Sequence, residues 1–214
     1  MKTTSRFALT AMLIALPAVS ARADVMDYKG TGLKASVHVY APGYIAHDRT
    51  VHAGEQIVKY GGERLKGYCV DIDQWAGDTE VTAVPLTDSS LPNKDLVGFL
   101  FETYAPCVSS KAEAAGLGIA IWELLYESPS NPFDPASGDF RVTGNDAATT
   151  EAMDLIATLP APGAYLPAAG TTVLMSPCKQ DMLVGFQTVV PEPGTMLVLV
   201  AGSVGLLRRR PAER

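Results

Sequence analysis

Histidine and cysteine are scarce in this chain, three of each among 214 residues, and that scarcity removes several chemistries at once. His38, His47 and His52 show no metal-ligand spacing and no partner cysteine, which argues against zinc. No nucleophile elbow, phosphate loop or dinucleotide fingerprint is present, so no cofactor is expected and nothing marks an enzyme. Asp71 and Asp73, on one face of an expected strand with Asp78 nearby, have the oxygens a hard cation such as calcium takes. Without an EF-hand-like spacing they read as a solvated acidic face, and no metal is assigned. A composition 47% hydrophobic and 19% charged excludes a disordered chain, a collagen and a polytopic membrane protein. The length leaves room for one domain and little more.

What is present is unevenly distributed. Residues 1–23 hold three basic residues and no acid, and residues 190–214 hold four arginines and two glutamates. The stretch between them, 24–189, carries a net charge of −11. Such a surface repels phosphate, so nucleic acid is not an expected partner.

The start has a positive Lys2 and Arg6, an apolar run from Phe7 to Val19 broken by Thr10 and Pro17, and small residues at Ala21 and Ala23. That is the pattern of a secretory signal peptide cleaved before Asp24, which makes signal peptidase and the general secretion machinery partners. At the far end Pro191-Glu192-Pro193-Gly194 interrupts any regular structure. Thr195 to Leu207 then runs without a charge until Arg208-Arg209-Arg210. Thirteen helical residues span about 20 Å, short of the ~30 Å hydrocarbon core, so this is a weak membrane anchor held by its arginines.

Between these ends, Leu33 to Tyr40 alternates as a half-buried strand. Gly61-Gly62 suits a turn, Leu65 to Ile72 a second strand, and Val81 to Leu86 a third, placed at an edge because of Pro85. Lys94 to Tyr104 is helical, with Leu96, Phe99, Leu100 and Tyr104 on one side. Ser110 to Glu113 fits a capping box opening a helix whose apolar stripe is Ala114, Leu117, Ile121, Trp122 and Leu125. Ser128 to Asp139 must be a loop, and Asp146 to Thr158 a third helix with Met153, Ile156 and Ala157 inward. Thr171 to Met175 and Met182 to Phe186 close the domain as strands. The expectation is α+β: a mostly antiparallel β sandwich or barrel over 24–189 with about three inserted helices. The signal helix and the short transmembrane helix 195–207 flank it.

Val190 to Arg214 resembles a PEP-CTERM sorting signal: Pro191-Glu192-Pro193, a short apolar helix and a closing arginine cluster, in that order. The resemblance implies a substrate of an exosortase and a route through the inner membrane to the cell surface or extracellular matrix of a Gram-negative bacterium. Two further segments, Gly67-Tyr68-Cys69-Val70-Asp71-Ile72 and Ile119-Ala120-Ile121-Trp122-Glu123, resemble the thioester domains of bacterial surface adhesins. There a cysteine after an aromatic residue bonds a glutamine side chain with loss of ammonia, leaving an acyl group open to amines. Gln180-Asp181 is similar to related PEP-CTERM proteins.

This resemblance places the glutamine four residues before Trp122, where this chain has Gly118. Glycine has no carbonyl to acylate a sulfur, and Gln56, Gln74 or Gln180 would substitute only if the fold brought one beside Cys69. The leading expectation is therefore a domain that keeps the thioester fold and lacks the bond, in a non-enzymatic structural or binding role at the surface. An extracellular polysaccharide or surface ligand is its open partner. The alternatives are a covalent adhesin using Cys69 and a secreted hydrolase of unknown type. Glycines at 116 and 118 suggest that another backbone packs closely there. Three cysteines in an exported chain allow one disulfide. Cys107–Cys178 is the expected pair, with Cys69, which matches the thioester cysteine, left over either as a reactive thiol or as a buried small hydrophobe.

Overall fold

A computed structural model describes residues 24–44 and 48–185. The expected signal cleavage residues Ala21 and Ala23, the sorting residues Pro191, Glu192, Pro193, Gly194, Arg208, Arg209 and Arg210, and His47 lie outside the described residues. The strand expected from Leu33 begins at Asp24, giving one long strand, β1 (Asp24–Tyr40). Two register irregularities, between Tyr28 and Thr31 and between Thr31 and Lys34, bend it. The bend lets its first residues pair with β4 (Thr79–Pro85) and the rest with β2 (Arg49–Tyr60). β2 returns into β3 (Glu63–Cys69) through Gly61-Gly62, with φ of 58° and 87°. A two-residue hairpin turn with both φ positive is what a glycine pair supplies most easily.

The remaining strands are β5 (Arg141–Thr143), β6 (Thr171–Met175) and β7 (Met182–Gly185). All pairings are antiparallel, in the order β2-β3-β7-β6-β4-β1-β5. Because β1 also pairs with β2, the sheet closes on itself and only the short β5 sits outside the ring. The α+β class with a large antiparallel sheet and three helices is thus observed. β4, however, is not an edge strand: it lies between β1 and β6. Pro85 is its last residue, opposite Thr172, where the ladder ends, so a missing donor there costs the sheet little. β2 and β5 were not foreseen. In β2 the buried run holds Glu55 and Gln56, which breaks the alternating signature. Glu55 is compensated by Lys66 Nζ at 2.7 Å and the backbone N–H of Leu33 at 3.0 Å.

The described residues form three α-helices, α1 (Lys94–Tyr104), α2 (Lys111–Tyr126) and α3 (Asp146–Ile156). The capping box of α2 forms: Ser110 Oγ accepts from the Glu113 N–H at 3.2 Å, and Glu113 Oε2 accepts from the Ser110 N–H at 3.1 Å. An amphipathic stripe was expected, yet every residue from Ala114 to Leu125 is buried, so α2 is the axis of the core. It packs against β1, β2, α1 and α3. Its glycines permit two close approaches. A Cβ at 116 would lie 2.6 Å from Glu151 Cβ on α3, and one at 118 would lie 3.1 Å from the Gly54 backbone N on β2. The expected orientation of α3 is met only at Ile156, which packs against the core: Ala148, Ala152 and Leu155 are buried, while Met153 and Ala157 are exposed. No helix among the described residues is long and apolar enough to cross a membrane.

Two carboxylates at the end of α2 organise the loop that follows. Glu127, at the close of the helix, accepts from the backbone N–H groups of Ser128, Asp139 and Phe140 and from Asn131 Nδ2. Burial alone would raise its carboxyl, but these hydrogen bonds together hold it below the usual range. Glu123, one turn earlier and fully buried, accepts a 2.7 Å bond from the Asp134 N–H at Oε1, while Oε2 has no hydrogen-bond partner among the described residues. Burial pushes the Glu123 carboxyl up to about 8, and the Glu127 and Asp134 charges add to the push.

Candidate functional site

Cys69 is the last residue of β3, and the chain beyond it is held from two sides. From α2, Trp122 Nε1–H donates to the Cys69 carbonyl at 2.9 Å. One turn on, the Tyr126 hydroxyl donates to the Val70 carbonyl at 2.9 Å and accepts from the Ile72 N–H at 3.1 Å. Helical spacing puts those two aromatic side chains on one face, so they grip residues 69–72 as a pair. From the sheet, Cys69 lies directly opposite Met182 of β7, and the ladder runs one step further through Val70 N–H to the Asp181 carbonyl at 3.0 Å. The Gln180 N–H donates to the Trp75 carbonyl at 3.3 Å, which closes the loop after β3 against the entry of β7.

These elements wall a cavity of about 340 Å³ whose lining includes Cys69, Gln56, Gln74, Gln180, Trp122 and His52. All three glutamines singled out in the sequence therefore share a cavity with Cys69. Two of them are occupied: Gln56 Oε1 accepts from the Tyr28 hydroxyl at 2.8 Å, and the Gln74 side chain bonds the Asp71 carboxylate. The Gln180 side chain has no hydrogen-bond partner among the described residues. Gln180 is two residues before the direct partner of Cys69. Gln180 thus stands just ahead of β7, next to the Val70–Asp181 bond that extends the ladder, and lines the same cavity as Cys69.

Cys69 is 3% exposed. Burial pushes its thiol up to about 12, and the carboxyls of Asp71 and Asp181 push the same way, against partial relief from the Asp71 backbone and the Trp122 indole. The sulfur donates to the Asp71 carbonyl at 2.9 Å. Burial also raises the carboxyls of Asp71 and Asp181. A neutral sulfur in a dry site is a poor thiolate nucleophile toward solvent species. An acylated sulfur has no charged form, so the same burial costs it nothing of that kind.

Several expectations meet corrections here. Gly118 does not face the cavity: its missing side chain would start against the β2 backbone and the Tyr68 ring, away from Cys69. A side chain at position 118 would crowd the β2 backbone, whereas Gln180, in the β6–β7 connection, lines the cavity. The Cys107–Cys178 bridge is not formed; both thiols are free and exposed. Cys107 lines a cavity with Glu151 and Leu155 of α3, whereas Cys178 lies 3.8 Å from Thr79 Oγ1 at the start of β4. Asp71 and Asp73 follow β3 rather than sharing a strand face, and Asp78 is engaged with the Tyr28 N–H at 2.7 Å. Among the described residues no group of His, Cys, Asp and Glu is placed to hold a metal ion. Trp122 is a core residue, 3% exposed, and at the same time a wall of the cavity.

No family model, no curated protein and no solved structure matches this chain.

Proposed function

We propose that this is an exported surface or matrix protein whose central domain carries an internal thioester between Cys69 and Gln180 and is acylated onto its target once, without turnover. The observation that carries the reading is that Gln180, whose side chain has no hydrogen-bond partner among the described residues, lines the same cavity as Cys69 and lies two residues before Met182, the strand partner of Cys69. In forming the bond, the Cys69 sulfur attacks Gln180 Cδ, a C–S bond replaces the C–N bond, and the thiol proton leaves with the amide nitrogen as ammonia. An amine reverses the sense: its nitrogen takes the acyl carbon, and Cys69 regains a thiol. Export, processing by an exosortase at Pro191-Glu192-Pro193, and delivery to the surface of a Gram-negative bacterium rest on the sequence patterns at the two ends.

The test is the intact mass of the purified protein. The expected result is a deficit of one ammonia that vanishes in Cys69→Ala and in Gln180→Ala and is replaced by one methylamine adduct on treatment. Full mass in the wild type, with Cys69 alkylated once the chain is unfolded, would refute the thioester. That outcome would support the second reading, a non-covalent binding domain in which Cys69 is a buried thiol. The hydrogen bond from its sulfur to the Asp71 carbonyl favours that reading.

A further inference from the structure

We infer that the acceptor for which this cavity is shaped is a sugar hydroxyl, with His52 taking its proton; the inference rests on the Cys69–Gln180 acyl bond proposed above. Hydroxyls and amines make different demands on a thioester. An amine that has lost its proton attacks with its own lone pair and needs little help. A hydroxyl arrives neutral but is a weak nucleophile, and it needs a base positioned to remove its proton as the C–O bond forms.

The cavity contains such a base. His52 of β2 lines it together with Cys69 and Gln180. Its ring is steadied by its cross-strand partner: His52 pairs with Ser36 of β1, and Nδ1 lies 3.2 Å from Ser36 Oγ. In the tautomer that donates from Nδ1, Nε2 holds the lone pair. Nε2 has no partner among the described residues. His38, by comparison, is committed to Asp48 Oδ1 at 2.8 Å and does not line the cavity.

The rim is built for a ring-shaped acceptor. Trp75 is 66% exposed and lines the cavity. Its carbonyl accepts from the Gln180 N–H, so the residue carrying the indole is tied to the residue carrying the acyl group. The Arg49 guanidinium lies 5.5 Å from the indole centroid. An aromatic face suits the apolar C–H face of a pyranose, and a guanidinium beside it offers donors to the sugar's oxygens. Charge alone does not choose the acceptor. Arg49 repels an ammonium ion, while Asp73, also in the lining, attracts one. The imidazole tips the balance, since a weakly nucleophilic hydroxyl gains most from a base that takes its proton during the attack.

In the transfer, the sugar oxygen attacks Gln180 Cδ and its proton passes to His52 Nε2. The C–S bond breaks as the C–O bond forms, and the proton moves on to the Cys69 sulfur. The products are an ester at Gln180 and a free thiol, with no co-reactant needed.

The experiment compares wild type, His52→Gln, His52→Ala and Trp75→Ala, each incubated with methyl α-glucoside or with methylamine and followed by intact mass. The wild type is expected to take up one glucoside. Loss of His52 should slow that uptake about 100-fold or more, the usual scale for a general base, and leave methylamine uptake within about threefold. Trp75→Ala should raise the glucoside concentration needed and leave methylamine unaffected. A wild type that shows the ammonia deficit and takes methylamine but ignores the glucoside would overturn the acceptor while leaving the thioester standing. Equal glucoside rates in wild type and both His52 variants would overturn the role of His52. A wild type without the ammonia deficit would overturn the thioester and this inference with it.

Discussion

Replacing Glu123 with glutamine should change how the stability of the protein depends on pH, and the structure sets the size of the change. Glu123 is fully buried on α2, and its carboxyl is pushed from the ordinary 4.5 up to about 8, by burial first and by the Glu127 and Asp134 charges second. The folded state therefore holds a proton that the unfolded chain has already released. A group raised in this way contributes its full stability below pH 4.5 and loses it as pH rises toward 8. At 1.36 kcal/mol for each unit of pKa, the ceiling on the loss is about 5 kcal/mol. That is comparable with the whole stability of many domains, about 5–15 kcal/mol. Glutamine keeps an oxygen for the Asp134 N–H and cannot ionise. Denaturant unfolding of both proteins at pH 5 and pH 9 measures the difference directly. Asp71 and Asp181 titrate in both and cancel. The variant should gain on the wild type by at least about 2 kcal/mol between those pH values. Parallel stability curves would refute the claim that Glu123 is neutral in the folded protein.

Other substitutions probe separate parts of the fold. Gly118→Gln should destabilise the protein by about 1–3 kcal/mol through crowding of the β2 backbone, seen as a lower melting temperature. It should also leave the ammonia deficit no larger, because position 118 does not open onto Cys69. Tyr126→Phe removes the hydroxyl that bridges Val70 and Ile72. The expected cost is about 1–3 kcal/mol in urea unfolding, with less of the purified protein carrying the ammonia deficit. Iodoacetamide applied to the folded protein should modify Cys107 and Cys178 and spare Cys69. A two-hydrogen deficit restored by reductant, with neither exposed thiol labelled, would show instead that Cys107 and Cys178 are bridged.

The parts of the fold legible in the sequence are those whose signals are local. The Ser110–Glu113 cap, the Gly61-Gly62 turn and the proline-rich loop after Ser128 each declare themselves within a few residues, and the structure has them where the sequence places them. β2 escaped because its buried polar pair, Glu55 and Gln56, is compensated from β1 and β3, strands that a linear reading cannot set beside it. The inward face of α3 was read correctly at Ile156 and wrongly at Met153 and Ala157, because periodicity marks an apolar face but cannot say which of its residues α2 will cover. Cys69 was legible as a candidate from its own motif. Its relation to Gln180 was not, because it depends on β3 and β7 being neighbours, and more than a hundred residues of chain separate them.

That neighbouring pair also determines how a pull on the molecule would be carried. Gln180 enters β7, and the chain leaves β7 toward the tail a few residues later. With an acceptor bonded at Gln180 and the C-terminal segment fixed to the cell, tension would run along the covalent backbone of that one strand. The other strands and the α2 core would lie outside that path. A tether of this geometry needs no mechanically strong domain: the barrel's task would be to keep the acyl bond dry until its target arrives, and holding on afterwards falls to a short length of peptide.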